Sequence, residues 1–142
     1  MYMPSNPNPA RIKPPELEII RTKEYDAQLK KMLPHKDHQD AFDQAVDTEL
    51  ATEPDIGAVI TGSGGFRKMR AARPDTPGGK SDGARIIYLH VPLARMVFLQ
   101  TVYPKSQTDA VSAAGKQVLR SWAAEYKAYA IVRRRTVRKH NG

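Results

Sequence analysis

Gly62-Ser63-Gly64-Gly65-Phe66-Arg67-Lys68-Met69-Arg70, then a glycine-rich loop, then Gly83-Ala84-Arg85-Ile86-Ile87-Tyr88, is the stretch on which the reading of this chain turns. A glycine turn leads into a short strand carrying cations, and a second strand brings up another arginine. Side chains alternate across a strand, so Lys68 and Arg70 share one face while Arg67 and Met69 share the other. Two cations on one sheet face, joined by Arg85 from the next strand, make a compact site for a polyanion.

The rest of the fold is read outward from that pair. Phe66–Ala72, Ala84–Val91 and Arg95–Tyr103 are expected strands, and Val91-Pro92-Leu93-Ala94 is short enough to link the last two as a hairpin. Leu17–Arg21 is a further short strand. Glu24–Leu33 is expected to be a helix stopped by Pro34. A second helix, Asp37–Thr52, carries Phe42, Val46 and Leu50 on one stripe and Asp40, Asp43 and Asp47 elsewhere, and Pro54 closes it. The last helix is expected from about Asp109 to Tyr129, with Val111, Ala114, Val118, Trp122 and Tyr126 as its apolar face and Trp122 as a packing anchor. Two helices before a small, mainly antiparallel sheet and one after it define an α+β domain. Residues 1–15, with five prolines, are expected to form a flexible Pro/Asn-rich arm, residues 16–130 the domain, and residues 131–142 a basic tail around Arg133-Arg134-Arg135 and Arg138-Lys139.

Charge is distributed unevenly. The net charge is +8, yet residues 24–60 hold three Lys/Arg against nine Asp/Glu. Residues 61–105 and 106–142 each hold eight Lys/Arg against two Asp/Glu. Acid is confined to the early helices, while the strands and C-terminus are basic, an asymmetry that favours a nucleic-acid partner on one side. With 142 residues a single domain with a modest core is expected. No apolar run approaches the roughly 18 residues of a membrane span, and no signal-peptide core is present, so the expected location is the cytoplasm, without membrane contact. The absence of cysteine excludes disulfides and thiolate metal sites.

Other motifs fail on spacing. Gly79-Lys80-Ser81 resembles the end of a phosphate-binding P-loop, but Pro74 stands where the first glycine must be. Gly62-Ser63-Gly64-Gly65 does not complete a dinucleotide fingerprint. His35 and His38 lack a third histidine nearby, and His90 and His140 have no evident catalytic partner, so neither a metal nor any other cofactor is expected.

Gly64-Gly65-Phe66-Arg67-Lys68-Met69-Arg70, Gly79-Lys80-Ser81-Asp82-Gly83-Ala84-Arg85-Ile86-Ile87-Tyr88 and Leu99-Gln100-Thr101-Val102-Tyr103-Pro104-Lys105 together resemble the RelE/ParE superfamily of type II toxins. The nearest branch is the HigB, RelE-like messenger-RNA interferases. The similarity spans roughly residues 16–127. It implies a small twisted antiparallel sheet with two N-terminal helices and a C-terminal helix. It also implies a toxin that cuts messenger RNA on the ribosome, inhibits translation and arrests growth. Lys68, Arg70 and Arg85 match the family's basic strand positions and are the expected catalytic residues. Lys105 matches a cation after the last strand. Arg67, Lys80, Tyr88, Tyr103 and Lys105 are expected to bind RNA, the tyrosines by stacking on bases. The implied partners are the ribosome, messenger RNA and a cognate antitoxin of helix-turn-helix type, with promoter DNA reached only through the antitoxin complex. The chain departs from the family where Gly115 replaces a glutamate, so Ser112 can cap the last helix but no capping box forms.

The chemistry follows from the residues themselves. Metal-independent cleavage through the 2′-hydroxyl needs a base, an acid for the leaving 5′-oxygen, and cations for the phosphorane. Lys68 is expected to act as base or electrostatic stabiliser, and Arg70 and Arg85 as phosphate clamps. Two rivals stay open: a ParE-like inhibitor of DNA gyrase, which would not need this cation set, and a non-catalytic module that binds RNA or the ribosome.

Overall fold

The computed structural model describes residues 16–107 and 110–141, and the side chains of 16–107 and 110–134. The arm expected over residues 1–15 and the side chains of Arg135, Arg138, Lys139 and His140 lie outside the described residues. The element order is β1 (Glu18–Arg21), α1 (Lys23–Met32), α2 (Lys36–Thr52), β2 (Ala58–Val59), β3 (Arg67–Ala71), β4 (Ala84–Val91), a single 3-10 turn (Pro92–Ala94), β5 (Met96–Pro104) and α3 (Ala113–Asn141). The sheet runs β1-β5-β4-β3-β2, with β1 parallel to β5 and every other pair antiparallel. This is the expected α+β architecture: two N-terminal helices, a mainly antiparallel sheet and a C-terminal helix.

Each sheet face buries its own core. Phe42, Val46 and Leu50 of α2, with Tyr25 and Leu29 of α1, pack on Met69, Ile86, Tyr88, Val97 and Leu99. On the other face, Leu119, Ala123 and Ala130 of α3 pack with Phe66, Leu89, Met96 and Phe98. Burial of a large apolar side chain stabilises by roughly 1.5–3 kcal/mol, so the doubly covered β4 and β5 are the centre of the fold. Thr22 starts α1: its hydroxyl accepts from the Tyr25 N–H at 3.1 Å and donates to the Gln100 carbonyl at 2.9 Å. The acids of α2 are not simply solvated. Asp43 and Asp47 pair with Arg21, and Glu49 pairs with Lys80.

Helix α3 differs from expectation in two ways. It continues through Asn141 rather than stopping near Tyr129, because no glycine or proline interrupts residues 116–141. Its buried stripe is also rotated. Val118 is 45% exposed, whereas Leu119, Ala123 and Ala130 are buried and Trp122 and Tyr126 are partly buried against the same core. The small Ala123 decides this. Gly64, at φ +83°, approaches so closely that a Cβ there would lie 2.9 Å from the Ala123 Cβ.

Candidate nucleic-acid site

The β3–β4 register builds the site. Arg70 stands directly opposite Arg85, and Lys68 opposite Ile87. Directly opposed Cβ atoms are about 4.5–5.5 Å apart and diagonal neighbours about 7–8 Å, so the three cations occupy one small patch. They face α3, on the sheet surface opposite Met69. There they line a groove of about 440 Å³, closed by Ala58, Val59 and Ile60 along β2 and by Ala110, Val111 and Lys116 at the start of α3. Among the described residues no carboxylate lines it. Lys116 brings a fourth cation that the sequence reading missed. It stands four residues after Ser112, in the first turn of a helix packed over the sheet.

Arg85 is 6% exposed. Its guanidinium donates to the Lys80 and Ala84 carbonyls at 3.4 and 3.3 Å and to the Ser81 carbonyl at 3.3 Å. The loop before β4 therefore folds its backbone around the arginine. Gly83 makes that possible, since a Cβ there would fall 2.0 Å from the Ala71 carbonyl oxygen. Arg70 is exposed at the groove and Lys68 half-buried within it. Ser112 caps α3, accepting from the Gly115 N–H at 3.0 Å, so the positive end of the helix dipole lies beside Lys116.

A bulge brings Tyr103 to the same patch. Ile87 pairs with Thr101 but Tyr88 pairs with Leu99, leaving Gln100 as an extra residue in β5. The insertion reverses the alternation, so Val102 points into the α1–α2 core and Tyr103 stands opposite Arg85. Gln100 itself donates to Glu24 at 2.8 Å and accepts a hydrogen bond from the Tyr126 hydroxyl, tying the bulge to α1 and α3.

The other expected RNA contacts divide. Tyr88 is a core residue on the opposite face, 0% exposed, with its hydroxyl donating to the Pro54 carbonyl at 2.8 Å and accepting from the Gly57 N–H at 2.9 Å. It has no ring face left for a base. Burial, foremost, raises its phenol above the ordinary tyrosine range. Arg67 shares that face and fastens the segment before β2, donating to the Gly57 carbonyl at 2.8 Å and pairing with Asp55 at 3.4 Å. Both depart from their expected role because the Met69 face is the buried one. Lys80 pairs with Glu49, yet it shares a shallow depression of about 290 Å³ with Lys68 and Arg70 around the β3 edge. Lys105 pairs with Asp82 at 3.1 Å. A wider depression of about 600 Å³ on α2 is lined by Ala41, Ala45, Thr48 and two glutamates, with Lys80 as its cation, and has the wrong charge for a polyanion.

Among the described residues no three His, Cys, Asp or Glu side chains converge as metal ligands would. Among the described residues no helix is long and apolar enough to cross a membrane. No family model matches the chain. Among solved structures, a double arginine-to-alanine variant of the E. coli toxin RelE in the free state aligns at 16% identity with a TM-score of 0.50, covering 72% of this chain and 98% of that one. The chain has the RelE toxin fold. The isolated E. coli RelE toxin aligns at 16% identity and a TM-score of 0.46, over 72% of this chain and 98% of that one. The toxin–antitoxin complex RelBE2 from Mycobacterium tuberculosis gives 16% identity and 0.42, over 65% and 94%. With the RelE fold as frame, the groove lies between the β3–β4 pair and the start of the C-terminal helix.

Proposed function

We propose that this chain is the toxin of a type II toxin–antitoxin pair, a metal-independent endoribonuclease that cleaves messenger RNA on the ribosome. The observation that supports it is the convergence of Lys68, Arg70, Arg85 and Lys116 in one groove, with no carboxylate among its described lining residues. Arg85 is the telling member. A buried guanidinium is costly unless an anion completes its shell, and among the described residues Arg85 donates to three neutral carbonyls. A phosphodiester entering the groove supplies the missing charge.

The reaction forms a bond from the 2′-oxygen to phosphorus and breaks the bond from phosphorus to the 5′-oxygen. The products carry a 2′,3′-cyclic phosphate and a 5′-hydroxyl. Arg85 holds a non-bridging oxygen, and Arg70, directly across the strand pair, stabilises the charge that builds on the phosphorane. Lys68 receives the 2′-hydroxyl proton or stabilises the oxyanion left by its loss. Lys116, on the far wall, is placed to give a proton to the departing 5′-oxygen. Tyr103 stands beside Arg85, where its ring can stack on a neighbouring base. On this reading a cognate antitoxin of helix-turn-helix type silences the chain in the cytoplasm, and promoter DNA is met only through that complex. A gyrase inhibitor on the same fold would have no use for the groove.

Ribosome-dependent cleavage of a defined message tests this. Lys68→Ala is expected to lower the rate about 10²–10⁴-fold, the usual weight of proton transfer. Arg85→Ala is expected to lower it about 10²–10³-fold, as loss of one preorganised donor does. Full cleavage by both variants would contradict the proposal. Loss of RNA affinity in Arg85→Ala, from a wild type that never cuts, would replace it with a binding module.

A further inference from the structure

Helix α3 leaves the groove carrying cations that the cleavage chemistry does not use. At 3.6 residues per turn, Lys116, Arg120, Lys127 and Arg134 fall within about 40° of one another around the helix axis. Arg120, Lys127 and Arg134 are exposed. The row is about 27 Å long at 1.5 Å per residue. Glu125, the one acid in the α3 sequence, lies about 180° away, on the opposite side of the helix. Arg133, which pairs with Glu18 at 3.3 Å, also points elsewhere.

The ridge is bordered by bare backbone. The loop through Gly62, Gly64 and Gly65, all at positive φ, lies close along α3, and Lys127 donates to the Gly64 carbonyl at 2.9 Å. Beyond Lys127 the ridge opens on a cavity of about 560 Å³ between the β4–β5 turn and α3, with Val91, Leu93 and Ile131 as apolar lining and Lys127 and Arg134 as its cations. Cations in a row with an apolar recess at the far end match a nucleic-acid strand, whose phosphates repeat and whose bases stack or insert.

We infer that the Lys116–Arg120–Lys127–Arg134 ridge of α3 binds the RNA strand beyond the cleavage groove, phosphates on the ridge and a base in the recess by Leu93. The inference rests on the groove being the RNA site proposed above. A stacked strand advances about 3.4 Å per nucleotide, so the ridge spans roughly eight nucleotides.

Uncleavable 2′-O-methyl RNA, about ten and about three nucleotides long, tests it by fluorescence anisotropy across a salt series. In Arg120→Gln/Lys127→Gln/Arg134→Gln, affinity for the longer RNA is expected to fall roughly tenfold or more, and its log–log salt slope to shrink by about 2. The shorter RNA is expected to bind as before. Arg120→Gln/Arg134→Gln keeps the Lys127 tie to Gly64, guards against loss of fold, and is expected to shrink the slope by about 1.4. Unchanged affinity and slope for the longer RNA in either folded variant would overturn the ridge. So would unchanged RNA binding with lost affinity for a polyglutamate peptide, which would mark an acidic protein's surface. Arg85→Ala separates the two readings. If it leaves short-RNA binding and cleavage intact while the ridge variants lose the longer RNA, the groove assignment fails and the ridge stands.

Discussion

At 6% exposure, the Arg85 guanidinium has exchanged most of its water for three carbonyl oxygens at 3.3–3.4 Å. These are long contacts for a charged donor, which reaches ionised acceptors at about 2.7–2.9 Å. A planar fork held open in this way suits two oxygens of one phosphate. Lysine would offer a point charge in its place, so Arg85→Lys is expected to recover little of the cleavage lost in Arg85→Ala. Measured rates for the two variants check this. Tyr88 gives the converse case. Its hydroxyl satisfies Pro54 and Gly57 in the core, away from the groove. Tyr88→Phe is therefore expected to lose about 1–3 kcal/mol of stability while cleavage per folded molecule stays unchanged. Denaturant unfolding together with an activity assay separates these effects. The alternation of Arg67, Lys68, Met69 and Arg70 already held the clue to both faces. Met69 is the apolar member, its face is the core, and the cations on the other face are the accessible ones. Lys116 was not legible in that way, because nothing local in its sequence distinguishes it from a solvated helix lysine.

At the scale of elements, strand β4 followed the sequence residue for residue, since its run of isoleucine, tyrosine, leucine and valine is buried on both faces. The Pro92–Ala94 turn was equally plain. The two-residue strand β2 has no pattern of its own and exists through its pairing with Lys68 and Arg67. The extent and facing of α3 escaped because Val118-Trp122-Tyr126 and Leu119-Ala123-Ala130 are both acceptable helical stripes, and the close approach of Gly64 chooses between them. The Gln100 bulge was invisible for the same kind of reason: the turn in phase that delivers Tyr103 appears only in the pairing. Deleting Gln100 would remove the bulge while leaving Leu99, Thr101, Val102 and Tyr103 opposite the same β4 partners, so Tyr103 keeps its place by Arg85 and only the Gln100 contacts to Glu24 and Tyr126 are lost. Both the deletion and Gln100→Ala, which keeps the residue count and the bulge, are expected to lose stability through those contacts while cleavage per folded molecule is retained. Comparing the two by thermal unfolding and cleavage checks this.

At the scale of the whole molecule, Asp43, Asp47 and Glu49 of α2 fasten the sheet through Arg21 and Lys80, while the groove and ridge side of α3 carries Lys116, Arg120, Lys127 and Arg134. The buried tyrosines set an alkaline limit. Tyr25 is raised well above the ordinary 10.0, by burial first and then by Asp43, whose carboxylate accepts from its hydroxyl at 2.9 Å. Tyr88 and Tyr126 are raised in the same direction, again by burial first. The folded state thus favours the protonated phenols. Their contribution is complete below the unfolded value of about 10 and is lost as pH rises above it. Stability measured by urea unfolding is expected to fall above about pH 10, with a shallower fall in Tyr25→Phe.

The most direct test of the central claim is induced expression in a bacterial host, wild type against Arg85→Ala, with 5′-hydroxyl RNA ends mapped on translated messages. Growth arrest with Arg85-dependent cuts in codon register is the expected result. Arrest without cuts would contradict the ribonuclease reading and point to another target on the same fold.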